Sequence, residues 1–402
     1  MLIAPLSYLI TSILIIFSGR FFFKNTLHPL VLGSSLWFFL VSIACYEPWF
    51  NNYLQSSWSI NTYIVMWLGG LSFLLPAFIF PSIGKYSICS FYFPKKYIIA
   101  LDLLALLNII AFILRFKEKV FMPTILFAGT GTDIKELVPA GILGLHYIDL
   151  LTPIIGICYI YEFLFSKKIT LRRKLIILIY TLFTISNLIL YKVSRDELTQ
   201  YISGVAFLFI IGRPKQRVKI MSLISIMFIG IIFMTISRLS DSSAVFTQFD
   251  GPIGNILSIF YTYTAYNFEN VNKLVNSEFH DTYIWASGKF LLRFIYPYEY
   301  DNNQFGIILK ESTFFNARTY LYMFYHDLRF LGVFMYSFLI GSIIQFFYRL
   351  SIRNTRYLLM IAVLIKGVLF LSFGNFFFAD FPYFFVYPVT LIFTILLFRK
   401  IT

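Results

Sequence analysis

The stretch 167–191, KKITLRRK followed at once by LIILIYTLFTISNLILY, decides the fold of this chain. Its first part places five basic residues in a loop of eight. Its second part, residues 175–191, carries no charge. That run approaches the ~20 apolar residues that a helix needs to cross a hydrocarbon core. A short basic loop beside such a run is typical of the cytoplasmic end of a transmembrane helix.

The composition of the whole chain agrees with this interpretation. Hydrophobic residues make up 59% of the 402 residues and charged residues only 13%. An ordinary soluble domain carries about 25% charged residues, so the composition excludes the common soluble enzyme classes. The formal net charge of +14 would suggest a nucleic-acid partner in a soluble protein, and only the placement of the charges decides its meaning.

Apolar runs recur along the chain and predict an all-α, polytopic membrane protein. There are eleven of them: 2–18, 27–45, 60–83, 97–116, 141–165, 175–191, 198–212, 220–237, 331–348, 357–373 and 383–398.

The basic residues predict the orientation, because Lys and Arg in short loops stay on the cytoplasmic side. Of the 33 Lys and Arg residues, 19 lie in six alternate segments: 19–26, 84–96, 166–174, 213–219, 349–356 and 399–402. The N-terminus is therefore predicted outside and the C-terminus inside. The positive charge is a signature of topology, and no nucleic-acid partner is expected.

One outer loop is far longer than the others. It covers 238–330 and divides the chain into an N-terminal bundle, 1–237, the loop itself, and three C-terminal spans within 331–402. Its near-apolar stretches 253–268 and 282–297 predict short re-entrant or interfacial helices, because irregular backbone at membrane depth must lie against protein or water.

Arg195 lies in the tightest outer loop, residues 192–197. A guanidinium fixed at the membrane surface can bind two phosphate oxygens at once through its planar fork. The alternative is an interfacial anchor paired with Asp196 or Glu197.

Four ionisable residues fall inside predicted spans, where such groups are functional or paired. His146 and Asp149 are three residues apart, share a helical face and are placed to line a cavity. Lys366 and Asp102 are expected to be structural, with Asp149–Lys366 or Asp102–Lys366 as the predicted ion pair.

Two motifs resemble a known family. Ser194-Arg195 resembles a Gly-Ser-Arg motif, with Val193 at the glycine position. Residues 316–319 (NART) and 325–332 (YHDLRFLG) resemble an Asn/Thr stretch and a Tyr-x-Asp-Phe-Gly-x-x-Gly motif, with Leu328 and Arg329 in place of Phe-Gly. Together with the long outer loop, these motifs resemble the oligosaccharide repeat-unit polymerases, the Wzy-type O-antigen polymerases.

This resemblance implies a multi-pass glycosyltransferase of the bacterial inner membrane. Its substrate would be an undecaprenyl-pyrophosphate-linked oligosaccharide, drawn from the membrane lipid phase. A chain-length-regulating co-polymerase and a flippase would be its partners. No metal site and no cofactor are expected, so arginines would neutralise the pyrophosphate leaving group: Arg195, Arg238, Arg293 and Arg318.

A carboxylate or histidine would deprotonate the attacking sugar hydroxyl. Candidates for this base are His326 and Asp327 first, then Glu311, with His280 and Asp149 after them. Asp327 could instead cap the helix beginning near Phe330.

Two other functions remain open. A ligase of the O-antigen type shares the layout and the arginine chemistry. A flippase for lipid-linked sugars belongs to another class, and it would favour pseudo-symmetric halves and charges along a central path.

Reporter fusions test the orientation. We expect fusions at Lys168, Lys215 and Arg353 to report a cytoplasmic position and a fusion at Asn276 a periplasmic one, because the basic loops stay inside. A cytoplasmic reporter at Asn276 would overturn the orientation.

Overall fold

The computed structural model describes most of the chain. The described residues are 3–49, 55–117, 120, 123–124, 138–139, 144–213, 251–288, 318–374, 376–377 and 381–398. Across them the regular structure is helical, and the predicted all-α class is confirmed. The predicted span 220–237 lies outside these residues.

Most of the α-helices coincide with apolar runs of the sequence. In chain order they are α1 (Ile3–Phe21), α2 (Pro29–Ala44), α3 (Ile60–Ile79), α4 (Lys95–Phe116), α5 (Leu145–Leu150), α6 (Thr152–Phe165), α7 (Leu171–Ser186), α8 (Arg195–Gly212), α9 (Gly251–Val275), α10 (Leu321–Arg353), α11 (Leu358–Leu369) and α12 (Phe381–Leu396). A π-helical segment, Asn187–Tyr191, continues α7.

The membrane character of the chain is also confirmed. Among the described residues, five helical stretches are long and apolar enough to cross a membrane: α1, α3, α4, α7 with its π-helical segment, and α10. Several shorter helices are equally apolar, α2 and α6 among them. Exposed Leu and Ile side chains follow one side of α1 and α7, as expected for surfaces in contact with lipid.

The described helices belong to two compact units. The first consists of Met1–Lys85, Ser242–Arg349 and Gly367–Phe384, and the second of Tyr86–Asp241, Leu350–Lys366 and Phe385–Thr402. The predicted division at 237 and 330 stays a prediction.

Within the first unit, α2 is the central helix and packs against α1 and α3. Gly70 of α3 leaves room for the rings of Trp37 and Phe38, which a Cβ at that position would meet at 2.7 Å. The indole of Trp37 also donates a hydrogen bond to the Met66 carbonyl at 3.0 Å. Small residues let membrane helices approach closely, and the polar contact adds to the packing.

Helix α9 differs from the expectation for the long loop. The predicted short interfacial stretch is part of a helix of 25 residues, and its second half is buried although it is polar. Glu269 accepts a hydrogen bond from the Ser56 hydroxyl at 2.9 Å, and Asn272 accepts one from Thr62 at 2.7 Å. Burial raises the pKa of the Glu269 carboxyl. The second half of α9 is therefore held by side-chain hydrogen bonds. A prediction based on hydrophobicity does not detect such a buried polar segment.

Within the second unit, α6 packs between α7 and α8. Gly156 of α6 lies against the Tyr201 ring, and Gly204 of α8 lies against Ile157, so glycines again set the helix spacing. The predicted span 141–165 is interrupted: α5 ends at Leu150, and α6 begins anew with Pro153 in its first turn. Proline favours a helix start because it has no N–H to pair.

Arg173 joins three elements of the second unit. Its Nε and Nη2 donate to the two Glu162 oxygens at 2.7 Å each, and its Nη1 lies 2.6 and 2.7 Å from the two Asp102 oxygens. The guanidinium also lies over the Tyr159 ring, and the Tyr159 hydroxyl donates to Asp102 at 2.8 Å.

The ion pairs predicted for Lys366 are wrong. Asp102 binds Arg173, Asp149 binds Arg115 and Lys192, and Lys366 binds Asp196. These intramembrane charges are paired, as expected. Their partners differ from the predicted ones because the helices pack differently from what the sequence positions suggested.

Arg173→Lys should destabilise the second unit. A lysine ammonium cannot bind both carboxylates in the forked geometry of a guanidinium. We expect the free energy of unfolding to fall by roughly 1–3 kcal/mol, because breaking buried ion pairs is costly. The partial exposure of Asp102 to solvent limits this loss. Thermal unfolding of the purified protein in detergent measures it. The control is Arg172→Lys at the exposed neighbour. Equal melting temperatures for the two variants would show that the fork contributes nothing.

Candidate functional site

The turn between the π-helical segment and α8 is strained. Val193 has a φ of 46°, a left-handed conformation that glycine adopts readily and that a β-branched side chain disfavours. A π-helical turn, Asn187–Tyr191, comes just before it. Strained backbone and π-helical turns both concentrate at functional sites.

Lys192, the residue before Val193, anchors this turn through ion pairs and a hydrogen bond. Its ammonium lies 2.8 Å from the Asp149 carbonyl oxygen, 3.1 Å from the Asp149 carboxylate and 2.7 Å from Glu197. Arg115 contributes a second cation to the same Asp149 carboxylate at 2.5 Å. The side chains of Lys192 and Asp149 are almost completely buried. We name Arg115, Asp149, Lys192 and Glu197 the buried ion cluster.

Two features place Arg195 at the first position of α8. Ser194 caps the helix by accepting a hydrogen bond from the Glu197 amide at 3.3 Å. Asp196 binds the buried ammonium of Lys366 at 2.6 Å. The predicted pyrophosphate ligand therefore lies half-buried at a helix N-terminus, with the acids beside it engaged by Lys366 and Lys192. A helix N-terminus favours an anion, and a guanidinium can bind two of its oxygens.

His326 and Asp327 lie in the first unit and are completely buried. The Asp327 carboxylate accepts hydrogen bonds from the Thr282 hydroxyl at 2.8 Å and from the amides of Ala286 and Ser287 at 2.8 and 2.9 Å. The Ser287 hydroxyl donates a further, short one. With this many donors, the carboxylate fixes the turn 282–288. This geometry suits a positioning role, and the role of Asp327 as the base stays a prediction.

Nδ1 of His326 lies 3.1 Å from the Thr282 hydroxyl, and the His326 ring packs on Phe279 with a centroid distance of 4.7 Å. The Thr282 hydroxyl is therefore within hydrogen-bond distance of both His326 and Asp327.

The helix α10 is broken directly after Asp327. Leu328 has non-helical angles, and Arg329 has φ 50° and ψ −131°, a combination suited to glycine. Arg329 holds this conformation with an ion pair to Asp281 at 2.9 Å and a position over the Phe279 ring. A Cβ at Gly332 would overlap the Phe324 carbonyl oxygen, so the glycine permits the close approach.

The other predicted site residues are only partly covered. Arg318 belongs to the first unit, is half-buried and lies over the Tyr322 ring at 5.0 Å. Glu311, Arg238 and Arg293 lie outside the described residues. The structure thus brings together His326 and Asp327 within one unit, and it places Arg195 within the other.

Sequence reasoning missed Arg115 and the depth of Lys192. A signal existed for Arg115, which lies in the last turn of a predicted span and is a basic residue inside an apolar run. Lys192 gave no such signal, since a lysine in a short loop ordinarily faces water. The turn 282–288 had none, because its donors are backbone amides and hydroxyls.

Comparison with protein-family models, curated proteins and solved structures gives no match.

Asp327→Asn separates positioning from proton transfer. Asparagine keeps one acceptor oxygen but turns an amide N–H₂ toward donors, and each buried donor left unpaired costs about 1–3 kcal/mol. We expect a lower melting temperature for this variant in detergent. Asp281→Asn is the control, because its ion pair with Arg329 is partly exposed. If Asp327→Asn melts like the wild-type protein but makes no product, the carboxylate acts as the base.

Proposed function

We propose that this chain is a polymerase of oligosaccharide repeat units. It joins undecaprenyl-pyrophosphate-linked oligosaccharides at the periplasmic face of the bacterial inner membrane. The N-terminus then lies in the periplasm and the C-terminus in the cytoplasm. The reaction is a glycosyl transfer between two lipid-linked molecules, one acting as donor and one as acceptor.

The observation that supports this proposal most is the backbone at Val193 and Arg329. Both residues stand where the motifs of the repeat-unit polymerases carry glycine, and both adopt positive φ, 46° and 50°. This chain therefore has a non-glycine residue at each of these two positions, but the backbone there has a conformation suited to glycine. Gly332, the last glycine of the second motif, also fills a place where a side chain does not fit.

The chemistry of the Arg195 loop supports the same function. Transfer of the glycan chain releases a pyrophosphate, and its negative charge must be stabilised as the bond to the sugar breaks. A forked guanidinium at a helix N-terminus suits two phosphate oxygens. Arg318 is the described candidate for a further contact, beside Arg238 and Arg293.

The buried ion cluster supports the loop that carries Arg195. Lys192 binds Asp149 and Glu197, so ion pairs hold residues on both sides of Arg195. Catalysis by charge stabilisation requires donors that are already oriented before the reaction.

Deletion in the native host tests the function. A polymerase predicts that long glycan chains disappear while one repeat unit remains on the acceptor. Loss of all glycan attachment, including the single unit, would contradict the proposal and favour a ligase or a flippase. Expression of the wild-type chain in the deletion strain must restore the long chains.

Arg195→Ala should abolish polymer in this complementation assay, because it removes the bidentate contact to pyrophosphate. Arg195→Lys should restore little, since an ammonium loses the fork. Arg213→Ala, at the exposed C-terminal end of the same helix, is the matched control and should make normal polymer. Normal chain length in Arg195→Ala at a normal protein level would exclude Arg195 from the site.

A further inference from the structure

His146 lies one helical turn before Asp149 on α5. Residues three apart share a helical face, so the imidazole lies on the side of α5 that carries the Asp149 carboxylate. The side chain is partly exposed, which leaves it accessible to a ligand. Its Nδ1 is nevertheless enclosed and, among the residues that the structure describes, has no hydrogen-bond partner. Buried polar atoms normally have partners, and an exception invites a functional explanation.

The buried ion cluster begins one helical turn from this imidazole. Asp149 binds both Arg115 and Lys192, and its side chain shares a face of α5 with His146. Tyr147 follows directly and packs against Phe385, with ring centroids 6.1 Å apart. The Asp149 carboxylate is already bound by two cations, so its position is fixed by ion pairs.

The cluster also extends from α5, which carries His146, to the Arg195 loop. Asp149 binds Lys192, and Lys192 is the residue before the strained Val193 and the cap Ser194. His146 and Arg195 thus each lie within three residues of a member of the cluster, Asp149 and Lys192 respectively, within the second unit. The predicted pair His326 and Asp327 lacks this combination, because both side chains are completely buried and bonded to Thr282.

We propose that His146 is the proton acceptor of the glycosyl transfer, an assignment that rests on the proposed function. The hydroxyl oxygen of the acceptor sugar forms the new bond to the anomeric carbon of the donor. The bond from that carbon to the pyrophosphate oxygen breaks, and its electron pair leaves with the pyrophosphate at Arg195. The hydroxyl proton passes to a ring nitrogen of His146, which releases it to solvent afterwards.

Chemical rescue tests this role. The purified protein in lipid vesicles is given an undecaprenyl pyrophosphate that carries the repeat unit of the native host, and chain elongation is followed with and without added imidazole. We expect His146→Ala to lower the initial rate by roughly 100-fold or more, the usual contribution of a general base. Imidazole should restore at least a tenth of the wild-type rate, because it occupies the space left by the missing ring.

Two further variants complete the experiment. His146→Gln fills the space without a basic nitrogen, so it should be equally slow and should not respond to imidazole. Tyr147→Phe, which keeps the ring contact with Phe385, should elongate normally. Melting temperatures near that of the wild-type protein ensure that each variant is folded.

The outcomes separate this assignment from the proposed function. If the wild-type protein elongates and the rate of His146→Ala is within threefold of the wild-type rate, the role of His146 is overturned and the proposed function stands. A slow His146→Ala variant that imidazole does not restore also overturns it and leaves a structural role. Failure of the wild-type protein to elongate this substrate overturns the proposed function itself.

Discussion

Asp149 binds Arg115 and Lys192 at the same time, and the order of the second unit around the Arg195 loop depends on this contact. A carboxylate buried in an apolar bundle is tolerated when cations and hydrogen bonds compensate its lost hydration. Its two cations come from different elements, the end of α4 and the segment before α8. Burying any one of these three charges without its partners would be costly. The three side chains are therefore held in one arrangement. Removing a single partner would leave an uncompensated charge in a low dielectric, which is why such clusters specify a geometry.

The same contact accounts for the strain at Val193. A left-handed backbone at a β-branched residue persists only where its surroundings determine it. Lys192, one residue earlier, is held by Asp149 and Glu197, and Ser194, one residue later, caps α8. In the first unit Arg329 is held in a comparable way by Asp281 and the Phe279 ring. In both places side-chain contacts stabilise a conformation that a glycine would adopt without them.

Asp327 shows how burial changes the meaning of a motif residue. As a residue in a sequence, an acid before a span is a candidate base or a helix cap. In the structure its oxygens accept hydrogen bonds from Thr282, Ala286 and Ser287, a segment about 40 positions away in the chain. His146 shows the opposite. Its position inside an apolar run suggested a cavity lining, and among the described residues its Nδ1 is enclosed without a hydrogen-bond partner, one helical turn from the ion-paired Asp149.

The sequence by itself determined the all-α class and the membrane character of the chain, but neither the full length of α9 nor the break between α5 and α6. Apolar runs such as 97–116 are long enough that lipid requires every backbone group to pair within the segment, and this leaves the helix as the solution. The partners of Asp102, Asp149 and Lys366 were decided only by the tertiary structure. Electrostatic attraction acts between any opposite charges, and which of them meet depends on how helices distant in sequence pack. The donors around Asp327 were decided in the same way, because backbone amides carry no sequence signal.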